Sequence, residues 1–209
     1  MTLDSLHLLP RGATGWGSPL LEFGRHTTLL LGDNGAGKTP LIKALAYTLG
    51  YPVELPPQVQ KMCRAVQVKF SHDGTRYTIE RHISSGVDVN VVDPDGKRMT
   101  FEDERALSSW ILPRLGIRPR MLAGRNGEKI PPYISVVGPA FLVDQDHGWS
   151  KLYAPFDTHQ FVKDQREEVA RWMLEVPARN RPVDKREYEA AKCSQTHGGS
   201  CTCVWCLLG

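Results

Sequence analysis

The stretch GDNGAGKT at residues 32–39 decides the fold class of this chain. The apolar run TLLL stands before it at 28–31, and LIKALA follows at 41–46 with apolar residues at helical spacing. A short strand that runs through a glycine loop into a helix is the setting of a phosphate-binding P-loop. The stretch therefore predicts an α/β domain built around such a loop, with a strand at 28–31 and a helix from about residue 39 to 49.

The residue types of the motif suit a nucleotide's phosphate chain. Gly32, Gly35 and Gly37 let the backbone turn tightly, so that successive N–H groups and the helix N-terminus converge on the anion. Lys38 supplies a point charge for the outer phosphates, and Thr39 offers a hydroxyl to Mg²⁺. A loop that only turned the chain would not need the Gly-Lys-Thr triplet. The predicted nucleotide-binding residues are Gly32, Asp33, Asn34, Gly35, Ala36, Gly37, Lys38, Thr39 and Pro40.

Pro40 departs from the usual pattern. The amide that follows Thr39 ordinarily donates to an inner phosphate, and proline has no N–H to donate. Its fixed φ nevertheless suits the first turn of a helix. We therefore expect a normal helix and nucleotide binding that is weaker by one hydrogen bond, which is worth about 1 kcal/mol.

Composition limits the possible classes of protein. A chain of 209 residues is long enough for one sizeable core. The 26 Lys and Arg against 23 Asp and Glu give a net charge of +3, which by itself does not indicate a nucleic-acid partner. No run approaches the eighteen or so apolar residues that span a bilayer, and no leader pattern opens the chain, so a cytoplasmic protein without membrane contact is expected.

One cluster of basic residues has two interpretations. Its side chains are solvated, or they form a patch that faces DNA or nucleotide. The residues of the cluster are Arg114, Arg118, Arg120, Arg125 and Lys129.

The remaining periodicity predicts a mixed sheet with an antiparallel β arm. Strands are expected at 6–9, 19–23, 65–71, 75–83 and 87–92, helices at 101–113 and 159–176, and a polar loop at 117–129. Residues 139–146 read as a buried strand or as a helix that runs into one. These patterns place a P-loop domain at 1–176, followed by a helical start and a Cys-rich tail at 177–209.

The segment AFLVDQD at 140–146 is the second candidate site. An apolar run that ends in a carboxylate would make Asp144 a Walker B residue, which holds Mg²⁺ through water. A glutamine at that place would instead make Gln145 the metal ligand and the sensor of the outer phosphate. In a third interpretation, Asp144 and Asp146 are ordinary turn residues.

The form GxNGxGKT, the helix after it, the antiparallel meander and FLVDQDHGW at 141–149 together resemble the N-terminal lobe of the SMC, RecF and SbcC group of ABC-type ATPases. The resemblance covers residues 20–175, and the DNA-repair branch that partners a nuclease is the most similar. It implies that ATP binds between two heads and that DNA lies across the paired heads, in double-strand break repair or in defence against foreign DNA. It also implies that 144–145 belongs to a Q-loop, which favours Gln145 as metal ligand, and that Asn34 is the asparagine of the family loop.

Three features of that group are missing from the sequence: an LSGGQ-like signature, a second apolar strand ending in Asp-Glu, and a coiled coil after Val176. We therefore expect the chain to be half of an ATPase head domain. Such a half would hydrolyse ATP only together with a complementary C-terminal lobe or a second copy. The abrupt tail suggests a truncated or frame-shifted reading frame, or a split protein. Two alternatives stay open: a nucleotide-regulated binding subunit without turnover, and a self-sufficient small P-loop kinase or NTPase that uses Asp144, with the arginines of 114–125 as a clamp.

Cysteines are concentrated at the end of the chain, whereas Cys63 stands alone, so a disulfide framework for the whole fold is not expected. The tail has two interpretations, a zinc site and a disordered or non-native segment. The zinc ligands would come from Cys193, His197, Cys201, Cys203 and Cys206.

Overall fold

The computed structural model describes residues 1–142 and 160–183. It divides into two units: residues 1–119 with 133–142 form the first, and residues 120–132 with 143–209 form the second. The α/β class predicted from the sequence is confirmed. The boundary expected between 176 and 177 stays a prediction.

A six-stranded antiparallel sheet forms the frame of the first unit. Its order is β2-β1-β3-β4-β5-β6, and β3 to β5 form the meander that the sequence predicted. The edge strand β6 was not predicted; its last residue, Phe101, was assigned to the following helix. The strands are β1 (Thr2–Pro10), β2 (Leu21–Glu22), β3 (Cys63–His72), β4 (Thr75–His82), β5 (Val89–Val92) and β6 (Arg98–Phe101).

The tight turn between β3 and β4 sets the register of the sheet. Asp73 and Gly74 both have positive φ, 47° and 76°, as a two-residue type I′ hairpin requires. The turn places Val68 opposite Ile79, and both side chains are fully buried. Because successive side chains of a strand point to opposite faces of the sheet, this register puts one face of β3 and β4 in the core.

Four helices accompany the sheet: α1 (Lys38–Thr48), α2 (Pro57–Met62), α3 (Glu104–Arg114) and α4 (Ile134–Val137). Helix α1 buries Ala44, Tyr47 and Thr48, and its core partners include Leu8 and Val66 from the sheet. Helix α3 begins three residues later than predicted, because the Asp103 carboxylate accepts a hydrogen bond of 2.8 Å from Ala106 N and caps it.

Gly50 ends α1 as the sequence predicted, with φ of 98°. A Cβ at this position would lie 2.9 Å from Ile134 Cγ2 and 3.0 Å from Leu107 Cδ2. Glycine is therefore needed both for the backbone conformation and for the close packing of α3 and α4 on the end of α1.

The second candidate segment is described only in part. Residues Gly138–Ala140 form a 3₁₀ turn after α4, so this stretch begins helically rather than as a strand. The residues that carry the hypothesis, Asp144, Gln145 and Asp146, lie outside the described residues, as does the Cys-rich tail.

The described part of the second unit contains a short hairpin and one helix. Strands β7 (Leu122–Ala123) and β8 (Lys129–Ile130) pair in the stretch predicted to be a polar loop at 117–129, and β8 extends one residue beyond it. Helix α5 (Gln165–Met173) begins six residues later than predicted. Among the described residues, no helix is long and apolar enough to cross a membrane.

Candidate nucleotide site

The glycines of the GDNGAGKT loop adopt backbone conformations that other residues rarely take. Gly35 has φ of 86° and Gly37 has φ of 84°. A Cβ on either glycine would meet nothing within 4 Å, so backbone conformation rather than crowding requires glycine at both positions. Residues 32–36 are exposed. The loop is thus an open backbone surface that a phosphate chain can approach closely.

The N-terminus of α1 carries no internal counter-charge. No side chain caps it, and no acidic residue lies in its first turn. The first N–H groups of a helix have no intrahelical partners, and the helix dipole adds partial positive charge at this end. A helix of 11 residues that begins after left-handed Gly37 therefore offers an anion-binding terminus at the place that the motif predicted.

Lys38 is folded back over the loop. Its Nζ donates to the backbone oxygen of Gly32 at 2.6 Å and to that of Asp33 at 2.8 Å. An ammonium group has three donors, so one N–H of Lys38 is left for an anion. The two bonds place the positive charge beside the exposed glycine backbone, and the arrangement fits the outer phosphates of a nucleotide.

Thr39 and Pro40 occupy the first turn of α1. Leu41 N donates to Gly37 O at 3.2 Å, and the helix continues to Thr48, so Pro40 leaves the helix intact as predicted. The missing donor at Pro40 and its effect on binding stay predictions. The predicted magnesium ligands, the Thr39 hydroxyl and Gln145, also stay predictions, and Gln145 lies outside the described residues.

The predicted strand before the loop is not formed. Residues 28–31 belong to no strand, and the side chains of Leu29 and Leu31 are 75% and 83% exposed. Within residues 1–142 and 160–183, the backbone groups of Leu29, Leu30 and Leu31 make no hydrogen bond. Propensity and hydrophobicity favoured a buried strand, but the sheet of the first unit provides no neighbour for it.

The basic cluster is divided between the two units, since Arg114 and Arg118 belong to the first and Arg120, Arg125 and Lys129 to the second. The Arg114 guanidinium carbon lies 4.0 Å from the centre of the Trp110 ring, and Arg114 Nη1 donates to Trp110 O at 2.6 Å. Arg120 donates to Val176 O at 2.7 Å in the second unit. Both side chains make contacts within their own unit, and the clamp of the kinase alternative stays a prediction.

Sequence reasoning missed Arg81 and Tyr47. Arg81 is 7% exposed although it is charged, and Tyr47 lies against it on α1. A signal was present, because Arg81 continues the alternation of Tyr77 and Ile79 on the core face of β4. No group of three or more His, Cys, Asp or Glu residues in the described ranges could hold a metal ion.

Comparison with known protein families supports the nucleotide site. Residues 17–112 match the family model of an AAA domain, a P-loop ATPase type that is found in SMC- and RecF-like proteins. The matched range contains the loop, α1, β3 to β6 and most of α3. No curated protein matches the chain. Residues 17–112 are therefore similar to an AAA-type domain, which is a nucleotide-binding ATPase domain with a P-loop fold.

Proposed function

We propose that this chain binds ATP with Mg²⁺ at residues 32–40 and forms one lobe of an SMC/SbcC-like ATPase. Three observations support the nucleotide site: left-handed Gly35 and Gly37, the uncapped N-terminus of α1, and Lys38 held beside the loop. The match of residues 17–112 to an AAA domain supports the same ligand.

Hydrolysis is proposed to require a complementary C-terminal lobe or a second copy. The observation that carries this step is the exposure of Leu29 and Leu31 directly before the loop. Burying a leucine side chain contributes about 1.5–3 kcal/mol, and unpaired N–H and C=O groups offer a template for another strand. A strand supplied by the second lobe would satisfy both needs and would enclose the loop.

The assembled complex is proposed to act on DNA, in repair or in defence against foreign DNA, with a nuclease as a further partner. The resemblance of residues 20–175 to the SMC, RecF and SbcC group supports this part of the proposal. Retention of duplex DNA that depends on ATP, measured by filter binding at two salt concentrations, would test it. Equal retention with and without ATP would contradict it.

The site is tested by binding of a fluorescent ATP analogue and by steady-state phosphate release. We expect the chain to bind the analogue with Mg²⁺ and to release phosphate slowly or not at all. Lys38→Ala removes a charge-assisted contact of about 1.5–3 kcal/mol and should weaken binding at least tenfold. Lys43→Ala, the same change on the same helix outside the loop, is the matched control.

Turnover separates the alternatives. Phosphate release that requires an added complementary lobe and is lost in Gln145→Ala would support the half-head and the sensor glutamine. Release by the chain alone that depends on both Lys38 and Asp144 would instead favour a self-sufficient small P-loop enzyme. Lys38-dependent binding without release in any mixture would favour the regulatory subunit.

A further inference from the structure

Arg81 is a buried cation in the core of the first unit. It lies on β4 opposite Val66 of β3 and Val89 of β5, and both valines are fully buried. Burial lowers the pKa of Arg81, while Tyr47 and, more weakly, Glu104 raise it. Its Nε is buried and has no hydrogen-bond partner in the described part of the chain. A guanidinium in such surroundings needs specific contacts to offset the loss of water.

Those contacts join Arg81 to the last turn of α1. Arg81 Nη1 donates to the backbone oxygen of Tyr47, and its guanidinium carbon lies 3.9 Å from the centre of the Tyr47 ring. In the opposite direction, Tyr47 Oη donates to the backbone oxygen of His82 at 2.8 Å. One tyrosine on α1 and two successive residues of β4 therefore form a reciprocal pair of hydrogen bonds.

The charge of Arg81 also complements the helix. The last turn of α1 contains no basic residue, so the helix itself supplies no cation at its negative end. Arg81 brings one from the sheet, and its hydrogen bond to Tyr47 O adds to the one that this oxygen already accepts from Gly50 N. The interaction fixes the C-terminal end of α1 against β4.

Helix α1 is the element that connects the loop to the sheet. On the other side of the loop, residues 29–31 make no hydrogen bond to any described residue. Because an α-helix is stiff over 11 residues, a change in the seating of its C-terminal turn displaces its N-terminal turn as well. The placement of Lys38 and of the first N–H groups thus depends on contacts at the far end of the helix.

We infer that Arg81 is a positioning residue for nucleotide binding, which seats the P-loop helix on β4 through Tyr47 without touching the nucleotide. The inference rests on the proposed ATP site. It predicts that a substitution about one helix length from the loop changes nucleotide affinity more than its effect on global stability explains.

The test is the Kd of the full chain for a fluorescent ATP analogue with Mg²⁺, at a temperature where each variant is folded by circular dichroism. Arg81→Met keeps a long side chain but removes the charge and the donors, and we expect Kd to rise about tenfold. Arg81→Lys keeps the charge without the planar fork and should give an intermediate Kd. Tyr47→Phe removes the hydroxyl that donates to His82 O and interacts with Arg81, and it should raise Kd about threefold.

Val91→Ala removes buried methyl groups from β5 and controls for a general loss of stability. Arg81→Met with a Kd within twofold of wild type, or a rise no larger than that of Val91→Ala, would overturn the inference. If Arg81→Met does not fold, Arg81→Lys decides, and a Kd equal to that of wild type overturns the inference. If nucleotide binding is not weakened in Lys38→Ala, the proposed site and this inference are both refuted. If binding is weakened in Lys38→Ala but not in Arg81→Met, only this inference is refuted.

Discussion

Tyr51 packs against Gly138 so closely that a Cβ on Gly138 would lie 2.8 Å from Tyr51 Cε2. Tyr51 follows the end of α1, and Gly138 begins the 3₁₀ turn after α4. Gly138 has no positive φ, so packing alone requires glycine at this position. The contact fixes the start of the segment that leads to Asp144 and Gln145.

Gly138→Ala should destabilise the first unit, since the added methyl group has to displace the Tyr51 ring. Overpacking of this kind costs about 1–3 kcal/mol, measured as the free energy of unfolding in urea. Gly86→Ala is the control, because a Cβ there would meet nothing within 4 Å. Equal unfolding energies for the two variants would contradict the packing argument.

Pro40→Ala should tighten nucleotide binding. The substitution restores a backbone N–H in the first turn of α1, and one added hydrogen bond of about 1 kcal/mol corresponds to roughly fivefold in Kd. The measurement is titration with a fluorescent ATP analogue, with Pro57→Ala in the first turn of α2 as control. An unchanged or weaker affinity in Pro40→Ala would show that the missing donor has no role.

Cys63 should make stability fall at alkaline pH. Burial raises the pKa of its thiol, and the charge of Arg11 only partly opposes this. Because the pKa is higher in the folded state, the stabilisation is complete below the pKa of the unfolded thiol and is lost as pH rises through the raised pKa. The free-energy difference between wild type and Cys63→Ala should therefore shrink from pH 7 to pH 10 in urea unfolding. A difference that stays constant over this range would contradict the prediction.

Leu29→Lys with Leu31→Lys should leave the isolated chain as stable as wild type, because both leucines are exposed. The free energy of unfolding is expected to change by less than about 0.5 kcal/mol. Exposed apolar residues beside unpaired backbone groups favour association, so wild type should self-associate with rising concentration and the double variant should not. Sedimentation velocity measures both, and Leu20→Lys is the control on another exposed leucine. A large loss of stability in the double variant would show that the leucines are already packed.

Much of the fold and the centre of the site follow from local rules. Asp73-Gly74 predicts the β3–β4 turn because few other residues tolerate its positive φ, and alternation predicts the strands on either side. The glycines, Lys38 and Thr39 predict the loop for a similar reason, since backbone conformation and phosphate chemistry restrict the residue types at each position. The same local rules put α1 in place and ended it at Gly50.

Other elements depend on partners that are distant in sequence. Helix α2 and strand β6 were missed because neither has a strong period, and β6 forms by pairing with β5. The run at 28–31 shows the opposite error, since its leucines favour a buried strand but no described strand pairs with it. Strand formation requires a neighbour, and propensity alone does not supply one.

The amino-acid sequence by itself determined the P-loop motif, its helix and strands β3 to β5 of the meander, and it predicts the nucleotide chemistry, because each depends on residues within a few positions of one another. Only the tertiary structure decided that Arg81 lies against Tyr47, that Gly138 lies against Tyr51, and that Leu29 and Leu31 are exposed. The burial and contacts of a side chain depend on which segments of the chain pack together in space. A single amino-acid sequence contains no direct information on which distant segments do so.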